Sequence, residues 1–270
     1  MASLFDTHCH LYDPQFSGDR DAVVDRYIQN QGNMLLVPGE DRMSSLQALQ
    51  LCARYKNLAM YVAAGIHPHH AERWKGEIAD IKMLLKTAPG AAVGEIGLDY
   101  YRMLSQKDAQ LAAFKANLEL ASEFERPIIV HSREATDDLL SIMDEWICQI
   151  PVSSALKERP GVFHAYNGDP HILEFALSCH FFLGIGGPIT YKNAEILRAA
   201  LRKIPLDRIL VETDSPFLAP HPNRGKRNEP AYVRFVAEKI AQVLALPAET
   251  VCEQTTLNAI RLFGDSNAVK

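Results

Sequence analysis

The run Ala91-Ala92-Val93-Gly94-Glu95-Ile96 has the length of a buried strand and carries a carboxylate near its end. Pro127-Ile128-Ile129-Val130-His131 is a second such run and ends on an imidazole. Between them, Ser105 to Phe124 has helical period. Leu111, Phe114, Leu118 and Ala121 fall on one face, and Ser105 and Asp108 stand at the spacing of a capping box. Residues 91–131 therefore read as one strand–helix–strand unit. The same alternation continues on both sides. Leu4 to His8, Met34 to Pro38 and Met60 to Ile66 precede the unit, and Gly161 to His164, Phe181 to Gly186 and Arg208 to Glu212 follow it. Glu134 to Trp146 and Asn193 to Ile204 read as further helices.

Eight candidate strands alternate with helices, and no low-complexity linker or change of composition interrupts them. This predicts an α/β fold, a single (β/α)8 TIM barrel spanning residues 1–270 as one domain, in preference to two open sheets. Pro216 to Pro230, rich in Pro, Asn and Arg, is expected to be a loop. Tyr232 to Leu246 and Ala248 to Phe263 are expected to be C-terminal closing helices.

Composition bounds the function. The chain has 270 residues, 47% hydrophobic and 23% charged, which supplies a sizeable core and excludes disordered and collagen-like classes. A formal net charge of -5 argues against a globally basic surface that coats nucleic acid or anionic membrane, but leaves room for a local basic patch. Five cysteines without C-x-x-C spacing read as thiols in a reducing compartment. The amino terminus lacks a secretory pattern, and no apolar run is long enough for a membrane helix. A cytoplasmic, monomeric protein with no membrane partner is expected.

The polar residues that end these runs carry the chemistry. His8 and His10 form an H-x-H pair at the end of the first strand, where residues two apart share a face. Glu95, His131, His164 and Asp214 sit at the ends of later runs. In a barrel of this kind the C-terminal strand ends share one rim, so residues far apart in sequence meet there. Each has a simpler reading: Glu95 paired with Arg102, Asp214 capping the turn at Ser215-Pro216, His131 and His164 as core histidines. Buried polar groups need partners, however, and six gathered at one rim call for a common one. Four histidines and two carboxylates suit Zn²⁺, Mn²⁺ or Mg²⁺ and are too many for one open tetrahedral site, so two divalent metal ions are inferred. Glu95 is placed to reach both.

The motifs together resemble a known family. Phe5-Asp6-Thr7-His8-Cys9-His10, Gly65-Ile66-His67-Pro68-His69, Gly94-Glu95-Ile96-Gly97-Leu98-Asp99-Tyr100, His131-Ser132-Arg133 and Glu212-Thr213-Asp214-Ser215-Pro216 resemble the TatD-type metal-dependent deoxyribonucleases of the amidohydrolase superfamily. The resemblance continues through Arg224-Gly225-Lys226-Arg227-Asn228-Glu229-Pro230 to Asn258-Ala259-Ile260-Arg261-Leu262-Phe263. It implies a TIM barrel with one metal on His8, His10, Glu95 and Asp214 and a second on Glu95, His131 and His164. The sequence departs from the family at His164-Ala165-Tyr166-Asn167-Gly168, where relatives more often carry Cys-Phe and then Ser or Thr.

The expected reaction is exonucleolytic hydrolysis of DNA phosphodiester bonds by a water activated at the binuclear site. Glu95 and Asp214 are the catalytic carboxylates, with Asp214 orienting the water and accepting its proton. His67, Arg224, Lys226 and Arg227 are candidate phosphate contacts, acting locally at strand ends or short segments. His69 and His70 are expected to face solvent, and Cys9 to be a packed thiol. Gly225-Lys226 is not a P-loop, since Arg227 stands where Ser or Thr is required. The rival readings are a metal-dependent hydrolase of an ester, lactone or amide, for example a D-aminoacyl-tRNA deacylase, and a non-catalytic metal-binding scaffold.

Overall fold

Alternation of apolar strands with amphipathic helices yields eight parallel strands in chain order: β1 Leu4–Asp6, β2 Gly32–Pro38, β3 Ala59–Ala64, β4 Ala92–Asp99, β5 Ile128–Arg133, β6 Gly161–Phe163, β7 Phe182–Ile185 and β8 Ile209–Val211. The computed structural model describes residues 3–87 and 92–264, so Ala91, the first residue of the expected fourth strand, lies outside the described residues. Between the strands run α1 Arg20–Gln29, α2 Arg42–Arg54, α3 Trp74–Thr87, α4 Lys107–Phe124, α5 Thr136–Gln149, α6 Pro170–Ser178 and α7 Glu195–Leu201. They are followed by α8 Val233–Leu244 and α9 Ala248–Phe263. The first and last strands meet: Thr7 N donates to Val211 O at 3.1 Å and Asp214 N to His8 O at 2.9 Å. A parallel bridge joins Cys9 to Ser215. The result is a (β/α)8 TIM barrel.

The core has two layers, and strand pleating decides which residue enters which. Phe5, Leu36, Ala63, Ala92, Ile129, Val162, Phe182 and Leu210, one from each strand, pack together inside the barrel. Ala259, Leu262 and Phe263 of α9 join this cluster, so the last helix plugs the end of the barrel opposite the site. The other strand face packs against the helices through residues such as Leu35, Val93, Ile128 and Val130. Side chains two residues further along the strands return to the inner face. From Ile129 the next inward position is His131, from Val162 it is His164, and from Leu210 it is Glu212. Apolar layer and polar layer are thus consecutive storeys of one barrel.

Some local expectations change. The capping box at Ser105 and Asp108 does not form: Ser105 is buried and its hydroxyl donates to His69 O at 3.1 Å. The helix instead begins at Lys107, with Gln106 as an N-cap that makes no side-chain bond. The first strand ends at Asp6, so His8 and His10 lie just beyond it in the segment held by the Cys9–Ser215 bridge.

Candidate metal centre

The six expected ligands converge at the C-terminal rim. His8 Nε2 lies 3.2 Å from His10 Nε2 and 3.1 Å from Glu95 Oε2, and His10 Nε2 lies 3.3 Å from Asp214 Oδ1. Two further separations are 3.9 Å (His10 to Glu95) and 4.0 Å (His8 to Asp214). Ligands each about 2.1 Å from one cation stand roughly 3.0 to 3.4 Å apart when adjacent and about 4.2 Å when opposite, so His8, His10 and Glu95 fit a single divalent ion, with Asp214 against the two histidines of that group. The other Glu95 oxygen, Oε1, faces His131 Nδ1 at 2.9 Å and His67 Nε2 at 3.5 Å. Glu95 therefore presents one oxygen to each of two groups. The suggested pairing of Glu95 with Arg102 is replaced by this ring of imidazoles.

His164 stacks on His8 with ring centroids 3.5 Å apart, and its Nε2 is 3.8 Å from Asp214 Oδ1. It thus falls in a group with His8 and Asp214, while His67 takes the place beside Glu95 and His131 that the resemblance implied for His164. His67 is buried, and its Nδ1 accepts a hydrogen bond from His69 N at 3.1 Å. In the neutral ring the proton is then on Nε2, which makes that atom a donor rather than a metal ligand. His131 and Asp214 are the members of the set that remain partly open to solvent, with side chains 19% and 16% exposed.

Behind three of the expected ligands, His10, His131 and His164, stands a polar group 2.9 to 3.2 Å from the far ring nitrogen, while His8 Nδ1 is buried without a hydrogen-bond partner among the described residues. Tyr12 Oη donates to Glu40 Oε2 at 2.9 Å and lies 2.9 Å from His10 Nδ1, leaving His10 Nε2 to face the centre. Asp99 Oδ2 lies 3.2 Å from His131 Nε2, so Nδ1 of that ring faces Glu95. Glu212 Oε1 lies 3.0 Å from His164 Nδ1 and accepts from Ala165 N at 2.6 Å. Gly184 makes room for this carboxylate, since a Cβ there would sit 2.3 Å from Glu212 Oε2. Helix α4 sets two of the loops: Gln110 receives Asp99 N at 2.9 Å, and Asn117 bonds both backbone groups of Ile66, next to His67. Asp6, buried, accepts from Thr213 Oγ1 at 2.6 Å and from His8 N at 3.3 Å, tying the first ligand to the last.

Charge follows from this packing. Burial opposes a charge on His10, yet Asp214, Glu40 and Glu95 outweigh it and raise its pKa to about 9. His131, likewise buried, is raised to about 9 by Asp99 and Glu95, and His164 to about 10 by Glu212, Glu95 and Asp214. Burial and the neighbouring His164 push His8 down, and burial takes His67 down to about 4. Burial would raise Glu95 and Asp214, but the surrounding imidazoles hold both carboxyls below their usual range.

Residues 5–264 match the family described as TatD related DNase. This chain belongs to that family. The TatD-family relatives include the protein named Uncharacterized metal-dependent hydrolase YabD of Bacillus subtilis (strain 168), 38% identical, covering 96% of this chain and 98% of the relative. They also include a protein of Erwinia tasmaniensis named 3'-5' ssDNA/RNA exonuclease TatD, 35% identical, covering 96% and 99%. Among solved structures, the TatD homologue YJJV from Escherichia coli K12 superimposes with a TM-score of 0.87 at 29% identity, covering 97% of this chain and 98% of that one. The protein is a TatD-family metal-dependent hydrolase, and among its described residues no helix is long and apolar enough to cross a membrane.

The expected phosphate contacts of this TatD-family chain divide. Arg224 and Lys226 are exposed, and the Arg224 guanidinium lies 4.3 Å from the Tyr191 ring centre. Arg227 is engaged elsewhere: both of its terminal nitrogens donate to Asp19 at 2.7 Å, and one also donates to Gln15 O at 2.7 Å. It serves to hold the loop against the β1–α1 connection. His69 does not face solvent freely, because its Nε2 lies 2.9 Å from Asp99 Oδ2. Cys9 is a packed thiol, accepting from Ser215 Oγ at 3.0 Å. Sequence reasoning missed Tyr12, Glu40, Asp99 and Glu212 as orienting groups. Asp99 and Glu212 lie inside the motifs already quoted, and inward alternation from Leu210 pointed to Glu212, but nothing in the spacing pairs Glu40 with Tyr12.

Proposed function

We propose that this protein is an exonuclease that hydrolyses phosphodiester bonds of DNA at strand ends, using two divalent cations held by His8, His10, Glu95, His131, His164 and Asp214. The observation that carries the reading is the presentation of one Glu95 oxygen to His8 and the other to His131, at 3.1 and 2.9 Å. Bound divalent ions at such a site supply Lewis acidity and a more acidic water. Asp214, partly open to solvent, orients the attacking water and takes its proton through the carboxylate oxygen turned away from His10. Arg224 and Lys226, exposed on the loop after β8, steer the strand, while His67, expected as a phosphate contact, is buried with its Nε2 toward Glu95 Oε1 and supports that carboxylate instead. The Erwinia tasmaniensis relative, named a 3'-5' ssDNA/RNA exonuclease, supports a nucleic-acid substrate, single-stranded in particular.

The test is a substrate panel. Protein stripped of metal and refilled with Mg²⁺, Mn²⁺ or Zn²⁺ is offered end-labelled single- and double-stranded DNA, RNA, an ester and a lactone. Stepwise shortening from one end is the expected result. Turnover of the ester or lactone with intact nucleic acid would replace this function with the rival hydrolase.

The raised pKa values set a pH dependence for metal loading. With His10 and His131 raised to about 9 and His164 to about 10, these rings are protonated at pH 7 without metal and must give up protons to bind it. Affinity therefore rises with pH up to those values and falls steadily as pH drops below them. Calorimetric titration of Mn²⁺ at pH 7 in two buffers of different ionisation enthalpy should show proton release. Identical heats in both would contradict the protonated state.

A further inference from the structure

We propose that the ring of Phe217 is a stacking platform for the nucleobase next to the phosphate bound at the metal centre, an assignment that rests on the exonuclease reading above. Phe217 lies three residues after Asp214, with its ring centroid 6.0 Å from that of His10 at an interplanar angle of 64°. Nevertheless 47% of it is exposed, and the adjoining Leu218 is 44% exposed. A single exposed apolar side chain on a surface means little. This one stands at the mouth of a polar site, and its backbone is pinned.

Phe217 N donates to Asp214 O at 2.8 Å, Asn228 Nδ2 donates to Phe217 O at 2.7 Å, and Asn228 N donates to Pro216 O at 3.0 Å. Asn228 is itself fully buried, and its side chain also donates to Thr213 O at 2.8 Å. On either side of Phe217 the backbone of Asp214 (φ 56°) and Leu218 (φ 52°) enters the left-handed region, which non-glycine residues occupy only where their surroundings over-determine it. The same hydrogen bonds that hold the backbone at Asp214 thus also hold the backbone that carries the ring. A half-exposed aromatic group on a pinned backbone gives up burial but can offer a π-face with little further ordering of the chain.

The ligand that fits is a base from a single strand. Every base has a π-face, so stacking is indifferent to sequence, and a duplex would have to unpair to provide one. The cations Arg224 and Lys226, on the same loop and exposed, supply positive charge for the phosphates of that strand. Phe217 is thereby a specificity residue for single-stranded ends, distinct from the groups that hold metal.

The experiment compares wild type, Phe217→Ala and Phe217→Trp, each loaded with Mn²⁺, on two single-stranded oligodeoxynucleotides. One carries ordinary nucleotides throughout, and the other has base-free residues at the last two positions of both ends. Loss of one stacked base raises KM about tenfold. Phe217→Ala should show that rise on the ordinary strand and match wild type on the base-free one, and Phe217→Trp should restore the ordinary value. Equal loss on both strands would make Phe217 a cover for His10 and overturn the proposal, as would an unchanged KM in a wild-type background that shortens DNA. A wild-type protein that shortens neither strand overturns the exonuclease reading and the platform together.

Discussion

Replacing Glu95 with glutamine should lower kcat/KM on nucleic acid by at least about a thousandfold, roughly 4 kcal/mol of transition-state stabilisation. The side chain keeps its shape, so the barrel should fold. What disappears is the negative charge that His8, His67 and His131 surround at 3.1, 3.5 and 2.9 Å. A primary amide presents one acceptor oxygen and one NH2 group, so one of the two ligand groups would face a donor instead of an anion. Metal content measured after equilibration with Mn²⁺ should fall along with activity. Retention of activity within tenfold would show that the two groups do not work as one centre.

The second large effect is on stability. Phe5 is fully buried in the barrel interior, with its ring centroid 5.1 Å from Tyr61 and 6.2 Å from Phe263 of the plugging helix. Phe5→Ala should cost about 3 to 5 kcal/mol, because the lost transfer energy is joined by a cavity that eight surrounding strands cannot close. For a domain of this size each kcal/mol moves Tm by about 2 to 4 °C, so a fall of roughly 10 °C is expected in a calorimetric scan. A shift below about 3 °C would mean that α9 moves in to refill the space. The variant that does fold should keep its metal affinity, since the apolar storey lies beneath the ligand storey.

These two substitutions lie on different strands, β4 and β1, yet only the first was legible as chemistry in the sequence. Glu95, His131 and His164 end apolar runs, and so do the H-x-H pair and Asp214 within a few residues. Because strand alternation is a local rule, the chain alone shows which side chains share a face. The capping box at Ser105 failed for the opposite reason. Its hydroxyl is drawn to His69 O, a partner 36 residues away that no local pattern can announce. Arg227 shows the same limit, since the charge run says nothing about Asp19, which binds it across the rim.

The alternation of eight strands with helices, the closing segment Ala248–Phe263 and the six convergent side chains can be read from the chain without its fold. Those follow from periodicity and from the cost of leaving polar groups buried without a partner. Only the tertiary structure decided which ligand sits beside which: His164 on His8 and Asp214, His67 on Glu95 and His131. It also decided which groups stand behind them. Distances of a few ångströms across the barrel depend on how all eight strands tilt and close together, and on small residues such as Gly184 that let Glu212 reach His164. That closure is a property of the whole sheet, so no single stretch of the chain encodes it.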